Sequence, residues 1–276
     1  MVEMPGDSLL EVRQLRVAYG DAFAVAGVDL DLHAGKVTAL VGPSGSGKST
    51  VALAIMGLLP TGGRIVAGTV RLTGASAGRD DVELVAAGER TVRNVRGRHI
   101  AMIFQSPGTA LNPVMTVGAQ IREALRLTGM AHRSDRAKAV ARLLEEVELP
   151  PRVARDYPHQ LSGGMQQRVM IAMALAGGPQ VLLADEPTSA LDVTVQAQIL
   201  ALLGRLQRTR GMAVLLITHD IAVAAQVADT IVVLDAGAVV EHGPTSDVLT
   251  APQSPTAQRL VSAARTLAEG PQAVRS

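Results

Sequence analysis

Lys36-Val37-Thr38-Ala39-Leu40-Val41-Gly42-Pro43-Ser44-Gly45-Ser46-Gly47-Lys48-Ser49-Thr50 is the stretch whose reading decides the fold. Lys36 to Val41 has the length and apolar character of a buried strand. Lys48 to Leu59 has helical composition and runs to Pro60 and the Gly62-Gly63 pair, which predict its end. Between strand and helix, Gly42 to Ser49 keeps the spacing G-x-x-x-x-G-K-S. Successive backbone N–H groups in such a turn form a concave anion nest, and the helix start adds partial positive charge. Lys48 is placed to neutralise the β- and γ-phosphates of a nucleotide, and the Ser49 hydroxyl to ligate Mg²⁺, with Thr50 following in the first helical turn. Without these flanks the same residues would read as a flexible glycine turn.

Outward from this loop the chain alternates in a regular way. Leu9 to Val17 and Val25 to Leu32 alternate apolar and polar residues, which predicts half-buried antiparallel strands. Gly68 to Ala87 predicts strand and loop with a polar tip at Gly78-Arg79-Asp80-Asp81, and His99 to Phe104 a short buried strand. From Ser106 to Met173 the character changes. Val117 to Leu127 and Arg136 to Val147 have helical spacing, joined by the polar turn His132-Arg133-Ser134-Asp135, and the whole reads as a helical insertion. Afterwards the order is strand Val181 to Ala184, helix Val193 to Arg208, strand Ala213 to Thr218, helix Ile221 to Val227 and strand Thr230 to Leu234. Alternation of this kind implies parallel strands with crossover helices. Ser254 to Glu269 predicts one surface helix.

Two further segments carry chemistry. Val181-Leu182-Leu183-Ala184-Asp185-Glu186 is an apolar strand that ends in two acids. Buried in the sheet, it would deliver Asp185 to the Mg²⁺ coordination shell and Glu186, one residue on, to an attacking water as general base. The alternative is an acidic turn leading into a helix cap, since Pro187, Thr188 and Ser189 follow. Leu161-Ser162-Gly163-Gly164-Met165-Gln166-Gln167-Arg168 is a helix start in which Ser162 can cap while Gly163 and Gly164 leave the first-turn amides open to an anion. Within one chain it would be a second phosphate site with no lysine or metal ligand beside it. Either it caps a γ-phosphate held by another subunit, or it is an ordinary capped helix.

Composition narrows the classes. The chain of 276 residues has a formal net charge of +1, four aromatic residues and no cysteine. Nothing in the bulk charge favours nucleic acid as a partner, and stacking platforms for single strands are nearly absent. Disulfides, thiolate metal sites and cysteine-held iron–sulfur clusters are excluded within these residues. The N-terminus lacks the basic start and apolar run of a signal peptide, and no apolar run approaches the ~18 residues of a membrane span. A cytosolic protein, or one held at a membrane through partners, is expected.

Gly42–Ser49, Gln105, Leu161–Arg168, Val181–Glu186, Ser189-Ala190-Leu191-Asp192 and His219 stand in the order found in ABC-transporter ATPase subunits, and the chain resembles that family from about residue 8 to 265. The resemblance implies an α/β fold: a P-loop NTPase core of the ABC ATPase type over 8–252, with an antiparallel β subdomain and an α-helical subdomain inserted at about 106–173, then a short helical tail over 253–276. It implies ATP and Mg²⁺ as cofactors. Gln105 resembles the glutamine that senses γ-phosphate and Mg²⁺ beside the membrane-subunit contact. Asp192 resembles the aspartate at the dimer seam, His219 the histidine that contacts the γ-phosphate, and Tyr19 the aromatic that stacks on adenine. Bland alternatives stay open: a polar strand end for Gln105, a capping residue for His219 and a surface tyrosine for Tyr19.

Phe104-Gln105-Ser106-Pro107 with Leu111-Asn112-Pro113, and Tyr157-Pro158-His159-Gln160 before the Ser-Gly-Gly segment, are similar to the peptide/nickel importer branch. This implies a second ATPase subunit, identical or not, two transmembrane permease subunits, and an extracytoplasmic solute-binding protein, with this chain peripheral on the cytoplasmic face. Ser254-Pro255-Thr256-Ala257 stands where peptide transporters often have His-Pro-Tyr-Thr and a cysteine-bearing extension. That departure leans towards nickel or metal-chelate cargo, with dipeptides and oligopeptides open. The rival expectations are a soluble ABC ATPase acting on DNA or ribosomes, and a P-loop kinase or GTPase. The first lacks the coiled-coil insertions, zinc cysteines or tandem cassette it would need, and the second leaves the Ser-Gly-Gly segment and His219 unexplained together.

Overall fold

The computed structural model describes residues 8–74, 81–129, 132 and 134–269. Met1 to Asp7, the tip residues Gly78 to Asp80, Arg133 and the residues after Glu269 lie outside this set.

β1 (Ser8–Tyr19), β2 (Ala22–His33), β3 (Val37–Val41), α1 (Lys48–Ile55), β4 (Gly63–Leu72) and β5 (Val82–Glu83) come first. β2, β1, β4 and β5 form an antiparallel four-stranded sheet in that order. In β1 the buried residues are Leu10, Val12, Leu15, Val17 and Ala18, and the period of two slips between Val12 and Leu15. The slip is a bulge at Gln14, whose φ is +47° and across which the pairing register shifts. Asp29 satisfies the bulge, accepting from Gln14 N at 2.7 Å and Gln14 Nε2 at 2.6 Å. Gly68, opposite it at φ +99°, is obligatory, because a Cβ there would lie 2.6 Å from the Gln14 carbonyl oxygen.

α2 (Glu89–Val95), β6 (Ile100–Ile103), α3 (Pro107–Ala110), α4 (Val117–Thr128), α5 (Arg136–Glu146) and α6 (Gly163–Leu175) follow. Then come β7 (Val181–Asp185), α7 (Val193–Arg210), β8 (Ala213–Thr218), α8 (Ile221–Val227), β9 (Thr230–Asp235), β10 (Ala238–Pro244), α9 (Thr245–Thr250) and α10 (Pro255–Glu269). The second sheet has the order β10-β9-β3-β8-β7-β6, parallel except for the β10–β9 pair. β3, β7 and β8 are buried at every residue, as strands covered on both faces must be. Leu40, Leu183, Leu215 and Ile217 pack towards α1 and the first sheet. Leu182, Ala184, Val214 and Leu216 pack the other way, in a core shared with α4 to α7. The parallel sheet thus welds the antiparallel sheet to the helical insertion and fixes the strand ends that carry the candidate site.

The predicted strands and helices are present, with four differences. α1 stops at Ile55 and not at Leu59, because Gly57 (φ +61°) closes it: Leu58 N–H donates to Leu53 O at 2.8 Å and Gly57 N–H to Ala54 O at 3.0 Å. β4 begins at Gly63, five residues earlier than expected. α2, β10 and α9 were not expected, since α2 and α9 have too few turns to set up a visible period and β10 is an edge strand with little buried. The tail helix buries Ala257 and Val261 against the β9 side of the sheet, so one stripe of it belongs to the core. Among the described residues no helix is long and apolar enough to cross a membrane.

Candidate nucleotide-binding site

The loop Gly42–Ser49 leaves β3 at the end of the sheet where β7, β8 and β9 also end, the place where open α/β sheets take ligands. Two of its glycines, Gly42 and Gly47, are fenced so closely that a side chain would not fit. A Cβ on Gly42 would lie 2.0 Å from Leu234 O, and one on Gly47 (φ +100°) 2.3 Å from Ala24 O. Pro43 O accepts from Ser46 N, and Ser46 O accepts from Gly237 N at 3.0 Å. Ser44 and Gly45 (φ +79°) form the exposed crest, and Thr50 sits half-buried in α1.

Lys48 is 5% exposed, and its ammonium donates inward to Gly42 O at 2.9 Å and Pro43 O at 2.8 Å. Burial pushes its pKa down, with partial compensation from the carboxylates of Glu186 and Asp185. Asp185, 7% exposed at the end of β7, accepts from Ser49 Oγ at 3.0 Å. Burial raises its pKa; the Ser49 bond and Lys48 oppose this, and Glu186 adds to it. A hydroxyl and a buried carboxylate in need of positive charge are hard oxygen donors of the kind Mg²⁺ takes. Among the described residues no group of three or more His, Asp or Glu converges, so the protein offers this pair, leaving most of the coordination shell to phosphate and water.

Glu186 stands one residue beyond β7 at φ +44°, a backbone conformation strained for a residue with a side chain. Its N–H donates to Ile217 O at 2.9 Å, which ties the strained residue to β8. The carboxylate accepts from Gln105 Nε2 at 2.8 Å through one oxygen and lies 2.9 Å from His219 Nδ1 through the other. An ionised carboxylate only accepts, so this contact is a hydrogen bond when the ring nitrogen Nδ1 of His219 bears a proton. Thr218 Oγ1 accepts from Asp220 N at 3.0 Å and shapes the turn that presents His219. Gln105, Glu186 and His219, far apart in sequence, are therefore one hydrogen-bonded cluster beside the Ser49–Asp185 pair.

Ser162 caps α6, its Oγ accepting from Met165 N at 3.4 Å. The N–H groups of Gly163 and Gly164 have no partner among the described residues. Gly164 is packed so tightly on α7 that a Cβ would lie 2.5 Å from Val195 Cγ1, and Asp192 caps α7 by accepting from Val195 N at 3.0 Å. No hydrogen bond among the described residues joins Ser162–Gly164 to the phosphate loop. Tyr19 lies at the β1–β2 turn, paired with Ala22, with its ring against Gly63. That turn is two residues from Ala24, which abuts Gly47. Sequence reasoning missed Gly237, which bonds to the loop through Ser46 and to β2 through Ala26 N at 2.8 Å. A glycine in the short Asp235-Ala236-Gly237 turn between two strands gives no signal of that role.

Comparison with known proteins agrees with this geometry. The family model described as ABC transporter matches residues 25–189. The dipeptide transport ATP-binding protein DppD of Escherichia coli (strain K12) is 46% identical over 262 residues, which cover 93% of this chain and 78% of that protein. The oligopeptide transport ATP-binding protein OppD of Lactococcus lactis subsp. cremoris (strain SK11) is 42% identical, covering 94% of this chain and 76% of that one. Among solved structures, the ATP-binding cassette MJ0796, a dimer in a post-hydrolysis state with ADP and Pi, superposes with a TM-score of 0.71 at 30% identity, covering 86% of this chain and 98% of that chain. Phosphate loop, buried acid and clustered glutamate together make the chain a member of the ABC transporter family, in the form of its ATP-binding, ATP-hydrolysing subunit.

Proposed function

We propose that this chain powers a membrane importer of peptides. Two ATPase subunits close around two nucleotides, each phosphate loop meeting the other subunit's Ser162-Gly163-Gly164. The observation that carries this reading is the pair of unpartnered first-turn amides at Gly163 and Gly164, on a helix start that no lysine or metal ligand of its own chain accompanies. Peptide cargo is supported by the dipeptide and oligopeptide relatives, which outweigh the departure at Ser254–Ala257 that points to nickel or metal chelates. The unit is the cassette 8–252, with its insertion at 106–173 and the tail beyond. It works at the cytoplasmic face with a second ATPase subunit, two permeases and an extracytoplasmic binding protein.

The residues divide the work as follows. Lys48 leaves its inward carbonyls for the β- and γ-phosphates, and the loop amides of Gly42–Thr50 cradle them. Mg²⁺, held from the Ser49 hydroxyl and Asp185, supplies charge neutralisation on the phosphates. Glu186 takes a proton from the attacking water, Gln105 orients the same carboxylate, and His219, on leaving Glu186, donates a ring N–H to the γ-phosphate. Asp192 fixes the start of α7 beside the opposing nucleotide, and Tyr19 offers a ring face to adenine. Deletion of the gene tests the reading: peptide uptake should stop and return with the wild-type chain but not with Lys48→Ala. The chain should also co-purify with two polytopic membrane proteins. Unchanged peptide uptake in the deletion strain would exclude the cargo, and purification with ribosomes would exclude transport.

A further inference from the structure

Away from the nucleotide, a cleft of about 590 Å³ lies between β2 and β10, the end strands of the two sheets. Its volume is that of a small-molecule site. One end is closed where Ala26 N–H bonds to Gly237 O at 2.8 Å. Beyond that bond no other joins β2 to β10 among the described residues, and the two strand edges flank an opening.

The cleft has a hydroxyl-bearing floor and acidic walls. Thr38 of β3 shares a strand face with Leu40 and looks towards the first sheet; it is 4% exposed, and its hydroxyl makes no hydrogen bond among the described residues. Thr230 stands beside it in register on β9, also without a side-chain partner among the described residues. The Thr38 side chain is almost wholly enclosed while its hydroxyl oxygen still opens into the cleft without a protein partner, so it is available to a ligand or to water. Asp29, Asp31 and Glu241 line the walls, and no lysine or arginine does. Asp29 is taken up by Gln14, and Glu241 accepts from Gln253 N and Ser254 N, while Asp31 gives one oxygen to Arg13 at 2.6 Å and has the other to offer. Val232 and Val239 supply apolar surface. The His, Asp and Glu side chains do not converge as a metal-binding group among the described residues. The cation that fits is therefore one that donates hydrogen bonds and brings hydrocarbon with it.

We propose that the β2–β10 cleft binds a small aliphatic amine, its ammonium on the Thr38 and Thr230 hydroxyls and the Asp31 carboxylate and its hydrocarbon along Val232 and Val239. An ammonium has three donors in a compact head, which matches two hydroxyls and one carboxylate oxygen. The test is calorimetric titration of the nucleotide-free full chain with n-butylammonium and with spermidine, nucleotide being left out because polyamines pair with ATP. Tetramethylammonium, of the same charge as n-butylammonium but without an N–H, is the competitor control. Saturable binding of either amine, at least tenfold weaker in Thr38→Val and not displaced by tetramethylammonium, is expected. The variant keeps the side-chain shape and should melt no lower than the wild type. No saturable binding (water only on the threonines), equal displacement by tetramethylammonium, or less than a tenfold loss in Thr38→Val overturns the proposal. Should Thr38→Val fail to fold, Asp31→Asn is held to the same criteria.

Discussion

Glu186→Gln separates nucleotide binding from its cleavage, and the structure says how. The amide has the volume of the carboxylate and suits the same left-handed backbone no worse, so the strain at φ +44° is unchanged. Its oxygen can accept from Gln105 Nε2 at the present 2.8 Å, which turns its NH₂ towards His219 Nδ1. That contact survives if His219 shifts its proton to Nε2 and accepts at Nδ1. Charge-assisted hydrogen bonds are replaced by neutral ones, at a cost of about 1 kcal/mol, so the fold and ATP affinity should change little. The proton acceptor is lost altogether. A positioned general base contributes about 10²- to 10⁴-fold, or roughly 3–5 kcal/mol at 1.36 kcal/mol per decade. The assays are phosphate release at saturating ATP, nucleotide affinity, and size-exclusion chromatography with ATP present. The expected outcome is turnover down by at least about a hundredfold, with retained ATP and a dimer that elutes only with nucleotide. Turnover within tenfold of the wild type would refute the assignment of Glu186 as base.

Gly164→Ala should lower the melting temperature by about 2–8 °C, because its Cβ would meet Val195 Cγ1 at 2.5 Å and an overpacked contact costs about 1–3 kcal/mol, whereas Gly163→Ala, with 3.4 Å to Leu191, should melt near the wild type. Valine 195 is the cause, so adding Val195→Ala should recover most of the Gly164→Ala loss. Asp185→Asn should raise the melting temperature of the nucleotide-free chain at pH 7–8 while abolishing hydrolysis. The folded pKa of Asp185 is raised above 3.8 by burial, so its destabilisation is absent below 3.8 and complete above the raised value; the gain should vanish when melting is measured near pH 3.5. An equal gain at both pH values would refute that cause. Arg210→Gln should cost about 1 kcal/mol in urea unfolding, since its two bonds to Glu146 at 2.6 Å, both side chains partly buried, tie α7 to the helical insertion.

The elements built on strong periodicity or on a motif were legible, and those resting on local backbone geometry were not. β3, β7 and β8 are uninterrupted apolar runs, and the capped helices α6 and α7 begin at Ser162 and Asp192, residue types that announce a helix start. By contrast, α1 ends at Ile55 and is closed by Gly57, and nothing in the sequence ranks that glycine above the Gly62-Gly63 pair expected to do the work. The bulge at Gln14 shows in sequence as a broken alternation, but its satisfaction by Asp29 depends on a partner in the next strand. For the site, each residue could be named singly. That Gln105 and His219 grip the two oxygens of one carboxylate follows from β6, β7 and β8 lying side by side, a fact of topology that spacing cannot carry.

Six side chains that the proposed mechanism assigns to the nucleotide are already occupied within the chain. Lys48 holds two loop carbonyls, Ser49 holds Asp185, and Glu186 holds Gln105 and His219. Polar groups left dry and unpaired would each cost about 1–3 kcal/mol, so these internal pairs keep a buried, charged site stable before nucleotide arrives. They also mean that binding exchanges partners and does not simply add them, which keeps the net gain from any one contact small. The amides of Gly163 and Gly164, like those of Gly45, Gly47 and Lys48 in the phosphate loop, are not occupied within the described chain. In the closed arrangement their contact to a phosphate on the opposing subunit would be an added bond, not an exchanged one. The Ser-Gly-Gly segment is accordingly where nucleotide-dependent association should draw its strength. Adding a methyl group beside those amides by Gly163→Ala, with the fold intact, should weaken ATP-dependent dimerisation while ATP affinity of the single subunit, measured below the dimerisation concentration, stays the same. Equal loss in both measurements would place the segment in the subunit's own nucleotide site and overturn the composite arrangement.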